Sequence, residues 1–189
     1  MNVSAEFRAQ LDQAEGLIFD MDGTLIDSMP LHYRAWSAVA ETYNLPFSKE
    51  RFYQLGGVPT FETLQILSSE AGIEIDILAA KQMKETLYRS QLDNVQPIVP
   101  ILDIAQHYFG KKPLAIATGS SRIGAEKVLT QLNLMSLFES VSTADDVDNH
   151  KPAPDVFLHA ANAIRIEPNR CVGFEDTDLG IQSITQAQM

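Results

Sequence analysis

The chain has 189 residues, 45% of them hydrophobic, and its 25 acidic residues against 14 basic ones give a formal net charge of −11. That supplies one well-packed domain with a smaller one inserted or appended, and the acidic surplus repels nucleic acid and anionic membrane, so an anionic ligand needs a local positive site or a metal ion. A single cysteine, Cys171, excludes an internal disulfide framework, no apolar run approaches the roughly 20 residues that span a bilayer, and residues 1–15 lack the apolar core of a signal peptide, so the cytoplasm is the expected location.

The first predicted strand is "GLIFD", residues 16–20, a short apolar run whose end carries carboxylates at Asp20 and Asp22. About 90 residues separate it from the next strand candidate, and most of them are helical in pattern. "SMPLHYRAWSAVAETYNL" opens with Ser28 and Pro30 and sets Leu31, Ala35, Trp36, Val39 and Tyr43 at helical spacing; "TFETLQILSSEAG" runs from a Thr60 cap to a Gly72 stop; "DILAAKQMKETLYRSQL" is a third helix. A crossover between parallel strands needs far fewer residues, so 28–94 is predicted as a helical insertion above the carboxyl ends of the strands, with 1–27 and 95–189 forming the main domain.

"PILDIAQHYFG" then reads as a crossover helix leading to a strand at "PLAIAT", 113–118. "SRIGAEKVLTQLNL" follows as a helix with Ile123, Val128, Leu129 and Leu132 on one side, and "FESVST", 138–143, as the third strand. "PDVFLHAANAI", with Pro154 and Asp155 in opening positions, is a helix before the fourth strand, "CVGFE", 171–175. The alternation is that of βαβ units and a parallel α/β sheet.

In such sheets ligands bind beyond the carboxyl ends of the strands, which is where Asp20, Thr118 and the pair Glu175 and Asp176 fall. With a strand period of two, Asp20 and Asp22 project to the same side, and Gly23 permits a sharp turn after them. Two close acids repel unless a cation lies between them or one keeps a proton, which suits a divalent metal combined with general acid/base work. An isolated Asp-x-Asp-Gly is common in turns and an isolated lysine is usually solvated; here Thr118 in "TGSS", Lys151 in "HKPAPD" and a second acidic pair in "FEDTDLG" follow in order. His107, His150 and His159 lack metal-ligand spacing and read as structural or solvated, so no zinc site is implied.

Taken together, "DMDGTLIDS", "IATGSS", "KPAPD" and "GFEDTDLGIQS", with a helical insertion after the first, resemble the haloacid dehalogenase superfamily of phosphotransferases. The likeness covers nearly the whole chain and is to the β-phosphoglucomutase-like branch, the bacterial fructose-1-phosphate phosphatases above all. It implies a Rossmann-like three-layer α/β/α core with an inserted helical cap of the C1 type, and a small phosphorylated metabolite as substrate; a monomer is the default expectation, independent of the likeness. Asp20 would be the nucleophile that forms an aspartyl phosphate, and Asp22 the acid that protonates the leaving oxygen and then the base for water. Mg²⁺ would be held by the Asp20 carboxylate, the Asp22 backbone carbonyl and Asp176, with Glu175 in or beside the coordination shell. Thr118 and Lys151, the backbone N–H groups of residues 21–23 and 119, and Gly119 and Ser120 would surround the phosphate. In the insertion, His32 matches a cap-hinge histidine and Lys84 a substrate-facing lysine, with Gly57 in the cap loop. A packed histidine at 32 and a solvated lysine at 84 stay open as alternatives, and Trp36 reads as cap core, with lining of the pocket as the lesser alternative.

The sequence departs from the mutases in the loop "LGGVPTFE", 55–62, where Gly56 and Thr60 stand in place of the lysine and arginine that hold a second phosphate. That favours water as phosphoryl acceptor, hence a phosphatase over a mutase. A dehalogenase has no use for the acid at Asp22, and a non-catalytic binder is disfavoured because every motif residue is present. The family continues after "GIQS" with a glycine turn and a last short strand, whereas this chain stops at "TQAQM"; the expectation is a shortened chain with an exposed strand edge, a cost in stability and intact catalytic motifs.

Overall fold

Four short strands organise the molecule. In the computed structural model, which describes residues 3–92 and 95–189, β1 (Gly16–Phe19), β2 (Leu114–Ala117), β3 (Ser140–Ser142) and β4 (Cys171–Phe174) form one parallel sheet in the order β3-β2-β1-β4. Every residue of β1 and β2 is buried, which is why their sequences are continuously apolar rather than alternating. The chain steps outward from β1 to β3 and then returns to lay β4 on the other side of β1, so the order reverses between β1 and β4.

Helix α1 (Ala5–Gln13) precedes the sheet; α2 (Met29–Tyr43), α3 (Lys49–Gln54), α4 (Thr60–Ala71), α5 (Ile77–Arg89) and α6 (Val99–Tyr108) lie between β1 and β2; α7 (Arg122–Gln131) and α8 (Asp155–Ala163) belong to the remaining crossovers and α9 (Asp178–Gln186) to the end of the chain. The chain divides into two compact units, Met1–Asp27 with Gln96–Met189, and Ser28–Val95. Among the described residues no helix is long and apolar enough to cross a membrane.

In the sheet-containing unit, Ile18, Ala115, Ala117 and Cys171 face Val156, Phe157, Ala160 and Ala161 of α8, Ile184 of α9 and Ala187 just after it. Gly173 on β4 admits α9 closely, since a Cβ there would come 2.7 Å from Ile184 Cδ1. On the opposite face Phe19 and Phe174 stack with ring centroids 4.4 Å apart, and Phe138 and Phe7 of α1 meet their edges at 6.0 and 6.2 Å. Lys112 fastens the end of α1 by donating to the carbonyls of Leu11 (2.5 Å) and Ala14 (2.7 Å), and the Tyr108 hydroxyl of α6 donates to Asp12 (2.5 Å). The segments entering and leaving the insertion are bonded to each other, with Asp27 N donating to Gln96 O and Ile98 N to Leu25 O, both at 2.8 Å.

The helical unit packs Trp36, Val39, Leu45, Phe52, Leu64, Leu67 and Ala80 into its own core. Left-handed residues end two of its helices, Asn44 (φ 53°) after α2 and Gly72 (φ 65°) after α4. Three details differ from the sequence reading. Pro59, not Thr60, occupies the cap position of α4, and with no side-chain donor or acceptor there Thr60 becomes its first helical residue. Ile123 is 69% exposed, because the buried stripe of α7 is Ala125, Val128 and Leu129 and a residue two positions before Ala125 points about 200° away from it. Helices α1 and α3, each opened by a serine cap whose hydroxyl accepts from the third residue on (Ser4 from Phe7 N, Ser48 from Arg51 N, both 3.1 Å), were not anticipated.

The start of α7 is anchored by a charged cluster. The Arg122 guanidinium donates to Asp146 (2.6 Å), and the same Asp146 oxygen accepts from Thr143 N (2.8 Å) and Oγ1 (2.7 Å). Although burial by itself would raise it, the Asp146 carboxyl is pulled down to about 2 by these donors. A carboxyl lowered by folding adds stability that is complete above its unfolded value near 4 and is lost as pH falls towards 2. Asp146→Asn is therefore expected to lose about 1–2 kcal/mol at pH 7 in urea denaturation, with the deficit shrinking to nothing as the pH is lowered through that window.

Candidate active site

The sheet order brings the ends of β1 and β4 together, and the site grows from that adjacency. Asp20 N donates to Phe174 O at 2.9 Å, extending the pairing one residue beyond the strands and putting Asp20 beside Glu175 and Asp176. The chain then turns back on itself: Leu25 N and Ile26 N both donate to Met21 O at 3.0 Å, and Gly23 N donates to Ile26 O at 2.9 Å. Gly23 has φ 92°, which L side chains rarely adopt, and a Cβ on it would overlap the Asp176 carboxylate, with Cγ at 2.8 Å. Thr24 Oγ1 donates to Asp176 Oδ1 at 2.8 Å, so the second acid closes over the turn that follows the first.

Lys151, on the segment between β3 and α8, is 8% exposed. Its Nζ donates to Asp20 Oδ1 (2.7 Å) and Glu175 Oε1 (2.8 Å) and stands 4.9 Å from the centre of the Phe157 ring. The other Glu175 oxygen accepts from Thr177 N (2.6 Å) and Thr177 Oγ1 (2.9 Å). Both of its oxygens are thus engaged, and Glu175 is a partner of Lys151 and of the start of α9.

On the β2 side, Thr118 N donates to Ser142 O (2.9 Å), and the Thr118 hydroxyl accepts from Ser120 N (3.1 Å). Ser121, rather than Thr118, caps α7 through Gly124 N. The Ser120 hydroxyl donates to Asp22 Oδ2 at 2.6 Å, an assignment the sequence did not suggest. Hydrogen bonds therefore gather these residues into three sets at the strand ends: Asp20, Lys151 and Glu175 with Thr177; Asp22, Ser120 and Thr118; and Asp176 with Thr24.

Burial drives the Asp20 carboxyl up to about 7; the Lys151 ammonium opposes this, and the Glu175 and Asp22 charges add to it. Burial also raises Asp176, against the pull of its Thr24 hydrogen bond. For Lys151 burial would depress the ammonium, but Asp20 and Glu175 outweigh it and hold the group above the usual lysine range. Four acids, Asp20, Asp22, Glu175 and Asp176, thus share one lysine, and two of them bind protons unusually tightly.

That deficit of positive charge fits a hard cation with oxygen ligands. Among the described residues no three Asp, Glu, His or Cys side chains stand close enough to cage an ion by themselves. Mg²⁺ does not require such a cage, since it usually takes one or two carboxylates and completes its shell with waters and substrate phosphate. Asp20, at the end of β1, and Asp176, packed on the turn at Gly23, could supply those carboxylates.

The remaining predicted residues lie in the helical unit. His32 on α2 stacks flat on Tyr88 of α5, with centroids 3.9 Å apart and planes 9° from parallel. Lys84 is 7% exposed, its Nζ 5.4 Å from the centre of Tyr88 and 5.7 Å from that of Trp36, so the solvated alternative does not hold. Gly57 is exposed in the turn between α3 and α4, with φ 83°. Tyr88 had gone unremarked, although its place four residues after Lys84 puts the two on one face of α5.

Fold and site together define an α/β enzyme whose first strand ends in a carboxylate held by a buried lysine. The sequence pattern of the haloacid dehalogenase-like hydrolases matches residues 17–189, and the chain belongs to that family. It is 40% identical over 175 residues to the fructose-1-phosphate phosphatase YqaB of Escherichia coli (strain K12), an alignment covering 92% of this chain and 93% of that one. It is 30% identical to a phosphorylated carbohydrates phosphatase of Thermotoga maritima over 92% of this chain and 81% of the relative. Among solved structures, the β-phosphoglucomutase of Clostridium difficile superposes with a TM-score of 0.81 at 26% identity, over 93% of this chain and 82% of the other.

The Asp20 carboxyl rises on folding from 3.8 to about 7, so without metal the fold favours its protonated form, and stability is lost as pH climbs between those values. Asp20→Asn lacks that loss. In metal-free buffer the variant is expected to melt above the wild type at pH 8, with the advantage disappearing towards pH 4; an equal or lower melting temperature at pH 8 contradicts this account.

Proposed function

We propose that the protein is a Mg²⁺-dependent phosphatase that hydrolyses a small sugar phosphate, of the fructose-1-phosphate kind, through an aspartyl-phosphate intermediate. The observation that carries the reading is the Lys151 bridge between Asp20 and Glu175. It holds Asp20 Oδ1, and among the described residues no hydrogen bond engages Oδ2, the oxygen that would attack phosphorus. The relatives named above, two sugar-phosphate phosphatases among them, support the substrate class.

Asp20 Oδ2 forms a bond to phosphorus as the ester P–O bond breaks, and Asp22 gives its proton to the departing sugar oxygen. Ser120 holds the Asp22 carboxyl through one oxygen, Oδ2, and so sets its direction. Asp22, now a carboxylate, takes a proton from water as that water attacks the aspartyl phosphate, returning Asp20 and releasing phosphate. Lys151, Thr118 and the backbone N–H groups of residues 21–23 and 119 stabilise the charge on the non-bridging oxygens. Asp20, the Asp22 carbonyl and Asp176 would hold Mg²⁺, which would supply the positive charge that lets a phosphate dianion approach the acids.

Hydrolysis is preferred to mutase chemistry because the cap loop offers no second phosphate clamp. Residues 55–62 contain neither lysine nor arginine, and Arg51 just before them is tied to Glu70 and to Gln54 (3.3 Å). A panel of phosphate esters with and without EDTA tests the reading: Mg²⁺-dependent phosphate release from a hexose phosphate is expected, falling by roughly 10³-fold or more in Asp20→Asn. Retained turnover in that variant removes the proposal. Interconversion of hexose 1- and 6-phosphates in the presence of a bisphosphate, in place of phosphate release, would make the protein a mutase.

A further inference from the structure

Gly180 sits in the first turn of α9, where a glycine costs the helix roughly 1 kcal/mol relative to alanine. No backbone demand explains it. It is a helical residue outside the positive-φ glycines of the chain, and its N–H is already capped by the Thr177 hydroxyl at 3.1 Å. Space explains it instead. A Cβ on Gly180 would fall inside the Glu175 carboxylate, overlapping Cδ and both oxygens more closely than any real non-bonded approach. The carboxylate of Glu175, resting against the bare Cα of Gly180, is the group that holds Lys151 at 2.8 Å while Lys151 holds Asp20 at 2.7 Å.

We propose that Gly180 is a positioning residue for the reaction: its missing side chain makes the slot in which Glu175 keeps Lys151 on Asp20. The inference rests on the phosphatase reading for what Lys151 does, not for the geometry. What an alanine at 180 would displace is the far end of a flexible side chain, not the backbone, so the fold survives and the alignment does not. Thr177, which donates to the same carboxylate and caps the same helix, ties the start of α9 to this slot.

The test is a double-variant cycle with two independent readouts: Mg²⁺-dependent hydrolysis of p-nitrophenyl phosphate, and acylation of Lys151 by an amine-reactive ester, followed by mass spectrometry against the exposed Lys49. Gly180→Ala is expected to keep its melting temperature within about 3 °C, to lose about a hundredfold in kcat, and to expose Lys151 to faster acylation. In a Glu175→Ala background the same Gly180→Ala change is expected to alter neither kcat nor labelling, because the group it displaces is gone. Wild-type turnover with protected Lys151 in Gly180→Ala overturns the proposal, as does a further loss in the double variant beyond Glu175→Ala alone. The double variant decides even if Gly180→Ala by itself does not fold, since removing the carboxylate must then restore folding. Should the wild type fail to hydrolyse the ester at all, the phosphatase reading falls while the labelling still judges the slot.

Discussion

One ammonium shared by two carboxylates governs this structure. Lys151, Asp20 and Glu175 are drawn from three separate stretches of chain and are nearly buried, with side chains 7%, 7% and 2% exposed. Taking any one of these charges out of water alone is prohibitive; together, with short hydrogen bonds between them, they become tolerable. The grouping is available only because β4 is laid beside β1, which puts the acid after one strand within reach of the acid after the other. The topological switch is therefore more than a convenient crevice: it is the condition for burying the lysine.

The acids are held by a repeated device. Three of the four have a hydroxyl from a neighbouring turn on one oxygen: Thr24 on Asp176, Ser120 on Asp22, Thr177 on Glu175. A neutral donor fixes a carboxylate's direction without neutralising it, so the site is ordered and remains negative. Lys151 offsets only part of that charge. The raised proton affinity of Asp20 and Asp176 expresses the remainder, and a hard cation bound there would offset it. An acidic protein can in this way receive an anionic ligand without a basic surface.

Much of this was legible in the order of residues. Buried parallel strands are apolar throughout, so "GLIF" and "LAIA" declare themselves, and an acid closing such a run has nowhere to go but the carboxyl edge of the sheet. Local stops such as Gly72 were readable for the same reason, since a left-handed residue is a property of the chain itself. What escaped was decided between segments distant in sequence. Ile123 is apolar yet exposed because its helix turns another stripe to the core; Ser120 serves Asp22 across 98 residues; Lys84 is buried because Trp36 and Tyr88 cover it.

Glu175 and Gly180 show the division most clearly. The sequence by itself determined that an acidic pair ends the last strand and that a glycine follows at the start of a helix, because strand periods and caps are local. Only the tertiary structure decided that the first of those acids meets a lysine from a distant segment, and that its carboxylate occupies the space a side chain on the glycine would take. Pairing energy and excluded volume depend on which groups meet across the fold, and no spacing along the chain records that.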